Sequence, residues 1–275
     1  MWGQAPRRNR SLRASNSTYF CHVSVLAHMG TAVRSVRSAV ALPRSALYDD
    51  TEPLSSRLRV AVLASILPIA LTSALIAGYV GVRGPDVEVS RAVVDTAYGV
   101  AALAVLGGVY LALDAREWRA TLSFEVPGRT ELAWTVVSFP LAVGGFLLGS
   151  TVGELFGFSM SGIGYSLSDP VTIAAVVFGG IVVAPLVEEI LFRGLLLGSL
   201  LGRGLSPAAA GATTVLLFAA VHLVSLGPAG VLAIAGWAIF PTALRLKFNN
   251  LTGAWLLHLA NNVYSYVVLV ALGVV

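Results

Sequence analysis

Seven long stretches of hydrophobic residues follow one another along the chain. They cover residues 60–82, 92–113, 132–156, 171–201, 207–226, 229–246 and 253–274. A helix needs about 20 apolar residues to cross the hydrocarbon core of a bilayer, and each stretch approaches or exceeds that length. Because backbone groups in lipid must be hydrogen-bonded within the protein, we expect these stretches to be helical. The pattern predicts an all-α, polytopic transmembrane helical bundle of about seven spans.

The first 59 residues contain no such stretch. They are rich in Arg, Ser and Ala, and they hold nine of the 18 basic residues against three acidic residues. A segment of this composition buries too little apolar surface to fold by itself. We predict a basic, mostly disordered N-terminal tail over residues 1–59 and a transmembrane bundle over residues 60–275. An Arg-rich, acid-poor segment is also typical of an organelle transit peptide, and the sequence leaves that alternative open.

The composition supports a membrane protein and gives no indication of a nucleic-acid partner. Hydrophobic residues make up 56% of the chain and charged residues 12%, whereas soluble domains carry about 25% charged residues. The net charge of +4 comes from the tail, where it suits anionic lipid better than nucleic acid. Cys21 is the only cysteine, which excludes an intrachain disulfide and a cysteine-rich zinc site.

Basic residues are distributed unevenly between the two sets of loops. One side carries the basic tail together with Arg116, Arg119, Arg129, Arg203, Arg245 and Lys247. The opposite side carries Arg83 and Arg91, and its segments 149–170 and 227–228 carry no basic residue. Because positively charged loops stay in the cytoplasm, we predict a multi-pass protein of the cell membrane with a cytoplasmic N-terminus and an external C-terminus.

Glycines recur at every fourth position in the third hydrophobic stretch. They are Gly145, Gly149, Gly153 and Gly157. This spacing places them on one face of a helix, where the absence of side chains lets a neighbouring helix approach closely. We interpret the glycine face as a packing surface.

Several ionisable and amide side chains lie within the hydrophobic stretches, where such groups are costly and mark functional sites. They are Glu188, Glu189 and Arg193 in the fourth stretch, His222 in the fifth, and His258, Asn261 and Asn262 in the seventh. Asp95 stands alone near one end of the second stretch, and we interpret it as interfacial.

Helical spacing assigns partners to some of these groups. Glu189 and Arg193 are four residues apart and can form an ion pair on one helix face. Glu188 is rotated about 100° from Glu189, so it has no such local partner and is free for chemistry. Phe218 and His222 also share one face, because they too are four residues apart.

Distances along the chain predict which groups lie at the same depth. Glu188 lies 16 residues before Gly204 and His222 lies 16 residues after Ser206, so an antiparallel hairpin places them at similar depth. His258 lies early in its own stretch, which suggests a different depth. The sequence leaves open whether the fifth helix is displaced or the sixth is short and tilted.

Structural interpretations compete with a catalytic one. Glu188, Glu189 and Arg193 can form one structural ion cluster, and a buried histidine is more often a hydrogen-bonded core residue than a catalyst. Asn261 and Asn262 can join helices through hydrogen bonds. Each signal is weak alone, whereas their joint occurrence on successive apolar stretches favours a functional site.

Three ordered motifs carry a resemblance to a known family. They are Glu-Glu-x-x-x-Arg at 188–193, Phe-x-x-x-His at 218–222 and His-x-x-x-Asn at 258–262. Their order on successive hydrophobic stretches resembles the CPBP family of intramembrane proteases, which includes the CAAX prenyl endopeptidases and bacteriocin-processing relatives. The resemblance covers residues 171–275, which would form the protease-like core.

The resemblance implies a role for each motif residue. Glu188 would activate the attacking water as general base, and His222 would orient that water or bind a metal. His258 and Asn262 would polarise the scissile carbonyl and stabilise the oxyanion. Structural support would come from Glu189, Arg193 and Phe218. We expect Glu188, His222, His258 and Asn262 to line one water-accessible cavity that opens toward the cytoplasmic half.

The resemblance also implies a metalloendopeptidase with a peptide or protein substrate at the membrane, prenylated in some members. Glu188, His222 and His258 would form a two-His, one-Glu zinc site, although the i, i+4 histidine pair of zincins is absent. A metal-free mechanism uses the same residues, so zinc stays open. Two other functions remain: an inactive membrane scaffold of the same fold, and a transporter or proton relay. Transporters often contain internal sequence repeats, and we find no such repeat between the two halves of this sequence.

The predicted orientation can be tested with reporter fusions. Alkaline phosphatase, which is active only outside the cytoplasm, is expected to be active when fused after Val275. The same reporter fused after Gly204 is expected to be inactive, because Arg203 belongs to the positively charged side. Activity at Gly204 with none at Val275 would establish the inverse orientation.

Overall fold

The computed structural model describes residues 44–273, and that part of the chain forms helices and no strand. The helices are α1 Arg44–Thr51, α2 Leu58–Arg83, α3 Arg91–Ala112, α4 Ala115–Thr121, α5 Arg129–Leu155, α6 Pro170–Gly202, α7 Pro207–Val221, α8 Leu223–Phe248 and α9 Thr252–Ala271. A short 3-10 turn, Glu52–Leu54, follows α1.

Six of these helices are long and apolar enough to cross a membrane: α2, α3, α5, α6, α8 and α9. The seventh apolar helix, α7, has 15 residues and a length of about 22 Å, which is less than the ~30 Å hydrocarbon core. The prediction of an all-α polytopic bundle of about seven spans is confirmed.

The N-terminal end of the described chain differs from the predicted tail. Residues 44–54 fold as α1 and the 3-10 turn, and they bury Leu47, Thr51 and Leu54. These residues pack on the end of α6, where Gly198 and Gly202 leave room for them. The predicted boundary at residue 59 therefore extends too far, because a short amphipathic helix lacks the long apolar run on which that boundary relied. Residues 1–43 lie outside the described part of the chain.

The glycine face of α5 packs directly against the backbone of α8. A Cβ atom at Gly145 would lie 2.6 Å from the carbonyl oxygen of Gly236, and one at Gly153 would lie 2.8 Å from Cα of Ala229. Gly149 likewise faces the backbone of α8. Gly157 differs from the other three, because it has φ +77° in the turn after α5 and nothing within 4 Å. The packing interpretation holds for three of the four glycines.

The hairpin between α6 and α7 follows its sequence signals. Gly204 adopts φ 85°, which favours glycine, and Ser206 caps α7 by accepting a hydrogen bond from the Ala209 backbone N–H. Pro207 occupies the first turn of α7, where no backbone donor is needed. The turn therefore lies at the residues from which the sequence analysis counted the depths of Glu188 and His222.

The structure explains why His258 lies early in its helix and still reaches the site. The start of α9 lies deeper in the bundle than the end of α6. Gly194 packs against the backbone of Thr121, and the Leu251 N–H donates to the Ser123 carbonyl across 2.8 Å. Thr121 and Ser123 are two residues apart, so the start of α9 lies at about the level of Gly194, and α6 continues for eight residues beyond that level. His258 and Glu188 are then each about two turns from this common level.

The helix contact at the glycine face predicts different effects for two neighbouring glycines. Gly145→Ala is expected to destabilise the protein by about 1–3 kcal/mol, because its Cβ would meet the backbone of α8. Gly144→Ala is the matched control, since nothing lies within 4 Å of its added Cβ. Thermal unfolding in detergent measures both, and equal melting temperatures would contradict the proposed contact.

Candidate active site

A cavity of about 560 Å³ lies between the helices and contains all four side chains predicted to act in catalysis. Glu188, His222, His258 and Asn262 line it, together with residues of α2, α3 and α8. Its volume falls within the range of about 300–1,000 Å³ that is typical of small-molecule and cofactor pockets. The structure therefore brings together residues that are up to 74 positions apart in the sequence.

The backbone of α6 is irregular on both sides of Glu188. Two π-helical stretches, Val176–Val183 and Glu189–Leu196, flank the short α-helical segment Ala184–Glu188. Single π-helical turns within α-helices are frequent at functional sites, because the extra residue re-aims the side chains that follow. Glu188 ends the α-helical segment and Glu189 begins the second π-helical stretch, so the two adjacent glutamates lie at a junction between helix types.

Glu189 and Arg193 form a fully buried ion pair, as their spacing predicted. Both side chains are 0% exposed, and Nη1 of Arg193 donates to Oε1 of Glu189 across 3.2 Å. Two further donors of Arg193 reach α8, at Thr242 Oγ1 (3.3 Å) and the Ala238 carbonyl (3.5 Å). The guanidinium also lies 4.2 Å from the ring centroid of Phe218. The pair thus joins α6 to α7 and α8.

Glu189 also contacts the candidate catalytic histidine, a contact that spacing could not reveal. The same Oε1 atom lies 2.8 Å from Nδ1 of His258. The other ring nitrogen of His258, Nε2, lies 3.6 Å from Oε2 of Glu188. A carboxylate on one ring nitrogen fixes the orientation of an imidazole and leaves its second nitrogen for chemistry. Glu189 therefore connects the buried ion pair to the cavity.

Phe218 is the aromatic centre of the site. Its ring centroid lies 4.8 Å from that of His222 and 6.1 Å from that of His258. It also packs at 5.9 Å against Trp237 of α8, which in turn lies 4.7 Å from His258. Nδ1 of His222 lies 2.7 Å from the Phe218 carbonyl, which fixes the histidine ring at the end of α7.

Asn262 lies one turn after His258, and both are buried. Its amide nitrogen donates to the Gly180 carbonyl across 2.8 Å, within the first π-helical stretch of α6. The side-chain nitrogen of Asn261 lies 3.5 Å from the oxygen of Asn262. One amide hydrogen of Asn262 therefore has a structural partner, while the other is available at the cavity.

Sequence reasoning missed a polar face on α3 that forms another wall of the cavity. Tyr98 donates its hydroxyl to Oε1 of Glu188 across 2.5 Å. Asp95 is 5% exposed and pairs with Arg91 across 2.8 Å, so it does not stand alone as the sequence suggested. The signal was the helical spacing of positions 91, 95 and 98, which puts one basic, one acidic and one phenolic side chain on one face.

Aromatic side chains enclose Arg91 at the edge of this wall. Its guanidinium lies 4.6 Å from the ring centroid of Tyr266 and 5.4 Å from that of Tyr165. Tyr165 lies in the loop before α6, and its hydroxyl donates to the Tyr266 carbonyl across 2.6 Å. Burial raises the pKa of Tyr165 to about 12, so it remains a donor at physiological pH.

The cavity reaches the loops on the side opposite to the basic ones. Its lining includes Val89 before α3, Ser161 and Ile163 before α6, and Leu226 after α7. According to the loop charges, these segments lie on the external side of the membrane. The predicted cytoplasmic N-terminus and the predicted opening of the cavity toward the cytoplasmic half therefore cannot both be correct. The second prediction relied on His258 being near the start of α9, and α9 begins well inside the bundle.

The possible zinc ligands do not form a ligand cluster in this arrangement. Among residues 44–273, no three His, Cys, Asp or Glu side chains are placed so that they could hold a metal ion. Nδ1 of His258 contacts Glu189 and Nδ1 of His222 contacts the Phe218 carbonyl, which leaves Nε2 of each ring as the possible ligand atom. Because the described side chains are not grouped as a ligand cluster, we derive no step through a metal. Zinc at Glu188, His222 and His258 stays a prediction.

Residues 170–264 match the family described as Type II CAAX prenyl endopeptidase Rce1-like. The matched segment contains all three motifs and confirms the resemblance that they indicated. The match supports intramembrane peptidase activity in general. Comparisons with curated proteins and with solved structures found no match.

The double role of Glu189 predicts two separable losses. Glu189→Ala should cost about 3–5 kcal/mol of stability, because it leaves the fully buried Arg193 without a counter-ion. Glu189→Leu combined with Arg193→Met should restore most of that stability, since no uncompensated charge remains. Both variants should lack hydrolytic activity, because both remove the Nδ1 partner of His258. Full activity of the stable double variant, measured beside its melting temperature, would show that the contact is dispensable.

Proposed function

We propose that this protein is an intramembrane endopeptidase that hydrolyses a peptide bond with a water activated by Glu188. The observation that carries the proposal is the convergence of Glu188, His222, His258 and Asn262 on one cavity inside the matched segment. The proposed substrate is a peptide or protein segment at the membrane. A prenyl group on that substrate is a further expectation, which follows from the family description.

Glu188 is the proposed general base. Its Oε1 atom accepts from Tyr98, so Oε2 is the oxygen that faces the remaining polar groups of the cavity. A water between this oxygen and the substrate would lose a proton to Glu188 while its own oxygen attacks the scissile carbonyl carbon. The same proton then passes to the leaving amine nitrogen as the C–N bond breaks, which returns Glu188 to its carboxylate form.

His222 is proposed to orient the attacking water. Because a carbonyl can only accept, the contact with Phe218 makes Nδ1 of His222 the donor. In the neutral ring, Nε2 then carries a lone pair and can accept a hydrogen bond from water. That acceptor would hold the water with its oxygen lone pair directed at the substrate carbonyl.

His258 and Asn262 are proposed to stabilise the oxyanion. Nε2 of His258 is the proposed donor, because Nδ1 of the same ring contacts the carboxylate of Glu189 and leaves Nε2 at the cavity. Asn262 would donate its second amide hydrogen, because the first is held by Gly180. Preorganised donors of this kind are each worth about 3 kcal/mol in the transition state.

Replacement of the general base tests the proposal. Glu188→Gln in the purified protein, reconstituted in vesicles with a membrane-peptide library, should lower hydrolysis by about 100- to 10,000-fold without loss of melting temperature. Glu154→Gln, a carboxylate on the exposed side of α5, is the matched control and should leave hydrolysis unchanged.

Other outcomes would favour other functions. If Glu188→Gln keeps every cellular function of the wild type, the scaffold alternative replaces the endopeptidase. Prenylated and unprenylated forms of one peptide, assayed together, decide the substrate modification. Hydrolysis after chelation, compared with hydrolysis after zinc is added back, tests the zinc prediction on the same preparation.

A further inference from the structure

The hydroxyl of Tyr98 is a polar group at the cavity to which the reaction above assigns no chemical step. It lies on α3, in a part of the chain before the segment that matches the protease family. Its oxygen is 2.5 Å from Oε1 of Glu188, the shortest contact of that carboxylate in the described residues. A phenol that donates to a carboxylate forms a charge-assisted hydrogen bond, which is stronger than a neutral one.

We propose that Tyr98 is a positioning residue that holds the Glu188 carboxylate in its reactive orientation. The proposal rests on the endopeptidase function proposed above and adds a residue from outside the matched segment. With Oε1 held by the phenol, the carboxylate presents Oε2 to the cavity, 3.6 Å from Nε2 of His258. The oxygen that takes the proton of the water is then defined before the substrate binds.

Without this restraint, the Glu188 carboxylate could rotate about its terminal bond. The torsion at the carboxylate of a glutamate is broad, unlike the staggered torsions closer to the backbone. A base that samples several orientations spends less time in hydrogen-bond geometry with the water, and small misplacements of reacting groups lower rates strongly. The hydroxyl therefore acts on the chemical step rather than on substrate binding.

The position of Tyr98 is itself fixed by contacts between α3 and α6. A Cβ at Gly99 would lie 2.5 Å from the ring of Phe178, and Gly179 packs against the backbone of Asp95. The Arg91–Asp95 ion pair, one helical turn away, lies on the same face of α3. Because α3 contacts α6 this closely, the phenol is carried by a rigid element and not by a mobile loop.

Tyr98→Phe is the direct test, because it removes one oxygen atom and keeps the ring. We expect kcat to fall about 10- to 100-fold, with KM changed less than twofold and the melting temperature unchanged. Tyr110→Phe removes the same oxygen from an exposed tyrosine of the same helix and should have wild-type kinetics. A normal kcat in Tyr98→Phe, or a loss confined to KM, would overturn the positioning role.

A second measurement does not depend on hydrolysis. Dicyclohexylcarbodiimide, which modifies carboxyl groups in membranes, is applied to the full-length wild type and Tyr98→Phe in vesicles. Glu188 should be labelled several-fold faster in the variant, because Oε1 has lost its partner, while Glu154 provides an internal reference. Equal labelling rates would overturn the inference. A wild type without hydrolytic activity would refute the proposed function alone, since labelling still decides whether Tyr98 restrains Glu188.

Discussion

The buried carboxylate of Glu189 is the constraint on which the rest of the site depends. A fully buried charge is costly without a counter-ion, and Arg193 supplies that counter-ion together with one hydrogen bond. The guanidinium then needs its own partners, which α8 provides through Thr242 and the Ala238 carbonyl. His258 of α9 completes the cluster at the same carboxylate oxygen. Neutralising one charge therefore fixes three helices relative to one another.

Close helix packing is the second requirement, because short polar side chains meet only when their backbones approach. Gly145, Gly149 and Gly153 bring α5 against α8, and Gly179 brings α6 against α3. The first π-helical stretch of α6 belongs to the same arrangement, since its Gly179 packs on α3 and its Gly180 carbonyl accepts from Asn262. The same short distances between helices thus pack the bundle and bring the site residues together.

The site is assembled from more of the chain than the family match covers. Residues 170–264 contain the three motifs, whereas the phenol on Glu188 and the Arg91–Asp95 pair come from α3. Their side chains close one wall of the cavity. The helices α2 and α3 are therefore part of the environment of the candidate base, even though they lie before the matched segment.

The sequence by itself determined the helical membrane bundle, the Glu189–Arg193 pair and the motif residues, because these follow from apolar run lengths and from spacing within one helix. It also indicated the common depth of Glu188 and His222, since a short hairpin leaves little freedom. Only the tertiary structure decided the contacts of Glu189 with His258 and of Tyr98 with Glu188, and the side on which the cavity opens. Those depend on how deep each helix begins and how it is rotated, which are properties of packing between helices and not of any one segment.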